Sequence, residues 1–364
     1  KAKGAFALVA PFCASVAALT YFQAKLEDFI WLRETCARRS AAIYEKIDKE
    51  VGNESLADLS HIGENENQLA FRQDDPGMMP ELKYYVVESA KQLMAGNHEV
   101  YACRSIALAA IAANSLFMDD VKMALRDVTS AEVFEAPPKT FGRMYNKLNN
   151  KWEHGDPSIP KPRPMKNVDV VRCAISVETP EDLAKTFAAL KAKFKIMRVK
   201  NTYNVTQDGE NHYRSVLVNF VYDSGLNLKD VFGSCPGYDM EYIQANPGKT
   251  ELEAHVAQDT AAGKWRDYCM SLKPASEWLW GMQGLWYAVR QEPARKFCLC
   301  GEAQIVLAAY MRGRALSHLF YKISRCETGP SEMARDFSGG FQAVTAESKA
   351  KKQAVYEHAR ALRS

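Results

Sequence analysis

The chain has 364 residues, of which 47% are hydrophobic and 25% are charged, and its formal net charge is +3 at neutral pH. A chain of this length can hold two domains and bury a substantial core, and both fractions are ordinary for a soluble protein. Because the net charge is close to zero, the protein as a whole has no general attraction to nucleic acid or to an anionic membrane, and any binding site for an anion must be local.

The cysteines, 9 in all, are scattered along the chain, and only Cys298 and Cys300 are close together. No Cys-x-x-Cys pair occurs and histidine is sparse, which argues against a zinc site and against a disulfide scaffold. The cysteine usage therefore predicts a reducing intracellular compartment, with an organelle among the alternatives. Since the chain begins at Lys1 rather than at Met, we expect a targeting segment or further sequence to precede it.

The N-terminal stretch over residues 4–24 carries no charged residue and is long enough to span a bilayer. It is rich in Ala and contains Pro11, so a helix buried against protein is the alternative to a membrane contact. Residues 25–51 continue as an amphipathic helix with Leu26 and Ile30 on one face, which favours the helix packed against protein.

Residues 52–80 are polar and contain several Gly, Asn and Pro residues, which predicts a long loop. A second helical region is predicted over residues 81–128. Its Ala-rich part, residues 105–114, indicates close packing against another helix rather than a membrane span. Together these elements form an N-terminal helical region over residues 1–136.

A pair of prolines marks the start of a central domain, which is predicted over residues 137–272. A helix predicted from Thr140 carries Arg143, Lys147 and Lys151 at intervals of four residues, which places three cations on one face. Such a face suits a phosphate site, although basic rows of this kind are commonly only solvated.

Three short β-like runs follow, over residues 167–177, 195–201 and 212–222, and a helical pattern over residues 180–194 separates the first two. A fourth run, residues 250–256, alternates polar and apolar side chains and adds a further strand. This order of elements predicts an α+β fold with a mixed β-sheet core, flanked by N- and C-terminal helical regions.

Residues 223–249 contain Gly, Pro, Tyr and Met, and are predicted to form a long loop that contacts a protein partner. The C-terminal region over residues 273–364 is predicted to be helical, with one helix over residues 301–326 and an exposed helical tail from Ser348. Its aromatic run over residues 278–287 is more typical of a core or an interface than of a platform for stacking bases.

Charged side chains stand at the ends of the predicted strands, where packing does not require them. Strand ends are where open α/β sheets bind ligands. Cations grouped around a carboxylate suit a polyphosphate bound with a metal ion, because the cations balance the oxyanions and the carboxylate holds the metal. A solvated sheet edge is the alternative. The residues concerned are Asp169, Arg172, Arg198, Lys200, Arg214 and Glu251.

Five blocks in this order resemble the RelA/SpoT nucleotidyltransferase domain: residues 143–147, 169–172, 198–201, 212–215 and 251–255. The resemblance is closest to the divergent RelA/SpoT-like proteins of protists and algae. The core of those proteins reads approximately as an Arg-Val-Lys-Asn block, a Tyr-Arg-Asp/Ser block and a Glu-Ile-Gln strand. The similarity extends over a little more than a third of the chain.

The resemblance implies a mixed-sheet nucleotidyltransferase fold and, for an active member, transfer of pyrophosphate from ATP to the 3′ hydroxyl of GDP or GTP with Mg²⁺. By the same resemblance, Asp169 and Glu251 are the catalytic carboxylates that bind the metal and accept a proton. The implied nucleotide-binding residues are Arg143, Lys147 and Arg172 at the ATP phosphates, Arg198 and Lys200 at the phosphates of either nucleotide, Tyr213 against the acceptor base, and also Arg214.

The sequence departs from the family pattern at several of these positions. Asp169 precedes Arg172 by three positions instead of about five, which displaces the carboxylate along a strand by roughly 6–7 Å. Leu217 stands where the family often has His, Glu253 where it has Gln, and His255 where it has Arg. These departures concern the residues on which catalysis by this family depends.

Two functions from different classes are therefore predicted. The first is a catalytically degenerate RelA/SpoT-like protein that acts as a structural or assembly subunit of a larger complex, without a cofactor, through its helical arms and residues 223–249. The alternative is a Mg²⁺-dependent nucleotide pyrophosphokinase or nucleotidyltransferase that uses ATP and a guanine nucleotide. Nothing in the sequence gives a strong indication of nucleic-acid binding, and residues 4–24 remain a candidate for membrane contact.

Overall fold

The structure is a computed structural model, and it describes residues 2–67, 69, 71–75, 98–150, 153–203, 213–233, 260–324 and 346–363. Its helices are α1 (Ala2–Val51), α2 (Asn53–Ser60), α3 (His98–Ala124), α4 (Phe141–Asn149), α5 (Pro180–Lys193), α6 (Leu228–Phe232), α7 (Thr260–Met270), α8 (Ala275–Gln291), α9 (Ala308–Ser324) and α10 (Ala346–Ala361). Its strands are β1 (Glu132–Glu135), β2 (Val171–Val177), β3 (Lys195–Asn201), β4 (Val216–Asn227) and β5 (Lys296–Leu307).

These elements belong to two compact units. The helical unit contains α1, α9 and residues 213–214 among its described parts. Its two helices contact each other through the Tyr44 hydroxyl and the Ser317 hydroxyl, which are 2.6 Å apart. Gly313 allows a close approach, because a side chain at this position would clash with Ile47 of α1.

The sheet unit is built on one mixed five-stranded sheet with the strand order β1-β2-β5-β4-β3. The central pair, β2 and β5, is parallel, whereas the other neighbouring strands are antiparallel. The α+β class with a mixed sheet, and with helices before and after it in the chain, is thus as the sequence predicts.

One face of the sheet is apolar and is covered by helices. Phe117 of α3 packs against Phe220 and Tyr222 of β4, with ring centroids 6.0 and 5.5 Å apart. Phe194, directly after α5, also stacks on Phe220, with the ring centroids 4.4 Å apart. Gly301 of β5 lies under these rings, and a Cβ there would be 2.7 Å from the Phe220 ring. Large aromatic side chains therefore fill the space between this face and the helices.

Helix α3 passes the length and hydropathy test for a membrane span over Glu99–Ala124, but almost all of that window is buried inside the protein. This agrees with the prediction of a packed helix for its Ala-rich part, where Ala109, Ala110 and Ala113 are buried. Residues 4–24 belong to α1, and their membrane contact stays a prediction.

Several elements differ from the sequence-based expectation. The predicted loop over residues 52–80 is wrong at its start, where α2 forms. The predicted loop over residues 223–249 is wrong for residues 223–233, because β4 continues to Asn227 and α6 follows; its remainder lies outside the described residues, as does the strand expected over residues 250–256.

The largest difference concerns the helix predicted over residues 301–326. Its first part is wrong, because residues 296–307 form β5, and helix α9 begins only at Ala308. A strand in the centre of a sheet is covered on both faces, so its sequence lacks the simple alternation that marks a half-exposed strand. The predicted C-terminal helix forms as α10, which is joined to α3 by the ion pair of Arg360 with Asp119 at 3.0 Å.

Candidate anion-binding site on the sheet

The second face of the sheet carries a line of polar side chains across four strands, here called the polar row. Strand pairing sets Arg198 of β3 opposite Asn219 of β4, Asn219 opposite Glu302 of β5, and Glu302 opposite Arg172 of β2. Residues directly opposite each other in a sheet project to the same face. The polar row therefore consists of Arg198, Asn219, Glu302 and Arg172, on the face opposite the aromatic core.

The hydrogen bonds of the polar row are incomplete. The amide of Asn219 donates to the Glu302 carboxylate at 3.1 Å and to the Val168 carbonyl at 3.4 Å. In contrast, the Nε atoms of Arg172 and Arg198 are buried and have no hydrogen-bond partner among the residues that the structure describes. An unpaired buried donor costs about 1–3 kcal/mol, so these guanidinium groups are held in an arrangement that an anionic ligand would stabilise.

Apolar residues close one end of this face. Phe71 and Cys300 are buried together, and Val168, Met197 and Val221 pack against them. Gln73 fixes the covering segment, because its side chain accepts from the Cys300 N–H at 3.2 Å and donates to the Asn167 carbonyl at 2.9 Å. The polar row therefore borders a cluster of buried apolar side chains on one side.

A group of basic side chains, here called the basic cluster, lies beside the Arg172 end of the polar row. It consists of Lys139, Lys147 and Lys166, which all act electrostatically on the buried His154. Lys139 is positioned by its backbone N–H, which donates to the Val170 carbonyl at 3.0 Å. Lys147 is on α4, whose N-terminus is capped by the Thr140 side chain.

Asp169 connects the basic cluster to the polar row. Its carboxylate accepts a hydrogen bond from the Lys139 ammonium, whose side chain is only 3% exposed. Burial alone would raise the pKa of Asp169, but Lys139, Lys147 and Arg172 lower it below its usual value. Asp169 is therefore ionised, and its charge is already balanced by Lys139.

The excess of positive charge affects the other titratable groups. Burial, reinforced by Lys147, lowers the pKa of Lys139 even though Asp169 opposes the shift. Burial and then the basic cluster lower the pKa of His154 to about 4, so its imidazole is neutral at physiological pH. Both shifts come first from burial, which disfavours the charged form, and neighbouring cations act in the same direction.

Glu302 has the opposite shift. Burial and then the Asp169 carboxylate raise its pKa to about 7, although the Asn219 hydrogen bond, Lys139 and Arg172 oppose the change. A carboxyl group with this pKa exchanges its proton near physiological pH, and a protonated Glu302 can donate a hydrogen bond to an anion.

The predicted site residues are divided among different environments. The structure brings Asp169, Lys147 and Arg172 together, and Arg198 lies at the far end of the same row. Lys200, two residues further along β3, is exposed, and Arg143 is exposed on α4. Glu251 lies outside the described residues.

Tyr213 and Arg214 belong to the helical unit. The guanidinium of Arg214 makes a bidentate ion pair with Asp48 of α1, with distances of 2.9 and 2.7 Å. The Tyr213 ring contacts the edge of the Tyr44 ring at 5.9 Å and lies 5.5 Å from the Arg314 guanidinium. Asp48 also accepts a hydrogen bond from the Tyr310 hydroxyl.

Sequence reasoning missed Lys139, Asn219 and Glu302. For Glu302 a signal was present, because Glu302-Ala-Gln304 has the Glu-x-Gln spacing that the resemblance expects on a strand. Because the sequence predicts a helix over residues 301–326, the resemblance places this pattern at Glu251 instead. Lys139 and Asn219 have no local pattern, since their partners Asp169 and Glu302 are 30 and 83 positions away.

A resident Mg²⁺ ion is a poor match to these side chains. Mg²⁺ requires near-octahedral oxygen ligands, usually including ionised carboxylates. Asp169 is occupied by Lys139, and the pKa of Glu302 is raised to about 7. Within the described ranges, no group of three or more His, Cys, Asp or Glu side chains converges as metal ligands would.

Comparisons of the chain with the models of protein families, with curated proteins and with solved structures found no match.

Proposed function

We propose that the sheet unit is a RelA/SpoT-like nucleotide-binding domain, which binds the phosphate groups of a nucleotide on the polar face of its sheet and does not transfer pyrophosphate. The observation that carries this proposal is the pair of buried guanidinium donors, Arg172 Nε and Arg198 Nε, that have no acceptor in the described part of the chain. Both arginines are on one face, in one row, beside the basic cluster.

The chemistry of the site favours phosphate over other anions. Arginine presents a planar set of donors that matches phosphate oxygens, and lysine adds positive charge without a fixed geometry. Cationic side chains outnumber carboxylates in the polar row and the basic cluster taken together, and Glu302 is neutral for part of the time at physiological pH. A dianionic or polyanionic group would therefore balance the local charge.

The spacing of the two arginines favours a chain of phosphates over a single one. Arg172 and Arg198 are separated by β5 and β4, so their backbones are about 14 Å apart at the usual strand spacing. Arginine side chains are long, so a pair of them at this separation on one face can contact the two ends of a diphosphate or triphosphate. A free phosphate ion is too small to contact both.

The RelA/SpoT-like character of the domain is supported by the arrangement of two carboxylates. The resemblance expects an Asp near the start of one strand and a Glu-x-Gln pattern on another. Asp169 lies two residues before the start of β2, and Glu302-Ala-Gln304 is on β5, which pairs with β2 in parallel. The ion pair between Asp169 and Lys139 is the reason for proposing binding without pyrophosphate transfer, since that Asp is the carboxylate on which the family relies.

The experiment is a calorimetric titration of the full chain with GTP, GDP and ATP, compared with the variants Arg172→Gln and Arg198→Gln. Each variant removes a charge-assisted hydrogen bond worth about 1.5–3 kcal/mol, so each should weaken binding about tenfold or more. Arg126→Gln is the matched control, because Arg126 is an exposed arginine of the same unit with a side chain 70% exposed.

Three outcomes would contradict the proposal. Absence of saturable binding at millimolar nucleotide would eliminate the nucleotide site. Equal losses of affinity in Arg126→Gln and in the two polar-row variants would assign the binding to general surface charge. Formation of a 3′-pyrophosphorylated guanine nucleotide from ATP would support the enzymatic alternative and overturn the non-catalytic part.

A role in assembly is the second candidate function, and exposed apolar side chains on α1 favour it. Tyr21, Leu26 and Trp31 are 61%, 54% and 63% exposed. These side chains are spaced five residues apart along α1, and contact with a partner would remove their apolar surface from water. Sedimentation of the purified protein is expected to show association that Trp31→Ser weakens, and a concentration-independent monomer would contradict this role for self-assembly.

A further inference from the structure

Lys139 has an unusual position for a lysine. Its side chain is 3% exposed, and its ammonium is held against the Asp169 carboxylate. The backbone around it is fixed on both sides, by the hydrogen bond to Val170 and by the Thr140 cap of α4. An ammonium group is buried only where opposite charge compensates the loss of hydration.

The same ammonium also acts on the second carboxylate of the site. Lys139 interacts electrostatically with Glu302 as well as with Asp169, and the two carboxylates interact with each other. Asp169 lies two residues before β2, and Glu302 lies within β5, which is the parallel neighbour of β2. A buried positive charge is therefore fixed beside two carboxylates, which is the place where a divalent ion would bind if both were free.

From this arrangement we infer that the Lys139 ammonium takes the place of a divalent metal ion, so that the site binds the phosphates of its ligand without Mg²⁺. This inference rests on the proposed nucleotide-binding function and specifies its metal requirement. It departs from the Mg²⁺ dependence that the resemblance to RelA/SpoT enzymes implies.

The charge and geometry of Lys139 explain why its ammonium group and a divalent metal ion cannot bind Asp169 together. The ammonium donates to Asp169 and is covered by the surrounding protein, so a metal ion could bind Asp169 only by displacing a side chain that has little access to water. A lysine carries one charge where Mg²⁺ carries two, and the remaining positive charge comes from Lys147, Lys166 and Arg172. Binding should therefore respond to ionic strength more than to chelators.

The first experiment measures the binding of GTP and of inorganic pyrophosphate to the full-length wild-type chain, in EDTA and in Mg²⁺, by calorimetry at constant ionic strength. The dissociation constants are expected to agree within about threefold between the two buffers, a difference of less than 1 kcal/mol. Affinity that is lost tenfold or more in EDTA and restored by Mg²⁺ would overturn the inference while leaving the proposed function intact. No binding in either buffer would overturn both.

The second experiment uses Lys139→Met, which keeps the length of the side chain and removes its charge. In EDTA this variant should bind pyrophosphate at least about tenfold more weakly than the wild type, because the compensating charge is gone. Lys139→Arg retains a buried cation and should retain binding in EDTA. Unchanged affinity in a folded Lys139→Met would contradict the inference.

Manganese binding gives a readout that does not depend on the nucleotide. Electron paramagnetic resonance of Mn²⁺ mixed with wild-type protein should show no saturable binding that depends on Asp169. Lys139→Met should gain such binding, since Asp169 is then free. Saturable binding of Mn²⁺ to the wild type that Asp169→Asn abolishes would overturn the inference, even if Lys139→Met does not fold.

Discussion

Arginines of the helical unit and of the polar row have opposite hydrogen-bond environments. Arg214 donates from Nε and Nη2 to both oxygens of Asp48, whereas the Nε atoms of Arg172 and Arg198 are buried with no acceptor in the described ranges. In the sequence all three are basic residues in or beside β-like runs, and the resemblance assigned the same role to each. An ion pair within the fold is sufficient to explain why an arginine is buried. A buried arginine donor that has no acceptor among the described residues instead indicates that a ligand binds there.

The largest expected effect on stability comes from breaking the ion pair between Arg214 and Asp48. Asp48→Ala leaves the Arg214 guanidinium and the Tyr310 hydroxyl without their shared acceptor in a partly buried position. Breaking a buried pair costs about 3–5 kcal/mol, and partial exposure places this one near the lower limit. Urea unfolding should show a loss of about 3 kcal/mol, and a loss below 0.5 kcal/mol would mean that the pair is only a surface contact.

The next effect concerns Glu302 and depends on pH. Because the folded-state pKa of Glu302 is raised to about 7 from its ordinary 4.5, folding binds a proton, and stability is lost as the pH rises from 4.5 to 7. Glu302→Gln stays neutral and should be more stable than the wild type by up to about 3 kcal/mol at pH 8, with no gain at pH 4. Equal stabilities of the two proteins at pH 8 would contradict the assigned shift.

The smallest effect on stability is expected when Arg172 or Arg198 of the polar row is replaced. Arg172→Gln removes the buried Nε donor, which has no partner among the described residues, so the free energy of unfolding should stay the same or rise by up to about 1 kcal/mol. Urea unfolding of this variant beside Asp48→Ala would sharpen the comparison. A loss as large as that of Asp48→Ala would mean that Arg172 serves the fold rather than a ligand.

Local patterns in the sequence were sufficient for several elements of the fold. Helix α5 begins where Pro180 follows the capping Thr179 and acidic residues fill the first turn. Strand β3 has the bounds that its β-like run predicts. Strand β5 could not be recognised in the same way, because its position in the middle of the sheet is decided by pairing with β2 and β4, far away in the chain.

The candidate site was predictable only in part for the same physical reason. Charges beside hydrophobic strands pointed to Asp169, Arg172 and Arg198. Their interpretation required Lys139 and Glu302, which approach them only through the fold. A short-range pattern reports the conformation of a segment, whereas the charge balance of a site depends on contacts between segments. The exposure of Lys200 and Arg143 is likewise a property of the fold and not of their blocks.

The central claim is that Arg172 and Arg198 of the polar row, whose buried Nε atoms have no acceptor among the described residues, bind phosphate, and a crystal structure of the protein grown with inorganic pyrophosphate in EDTA tests it most directly. The account predicts pyrophosphate on the polar face of the sheet, with oxygens that accept from Arg172 or Arg198 at hydrogen-bond distance. Pyrophosphate bound only at exposed lysines, or a polar row that binds none at saturating concentration, would contradict the account.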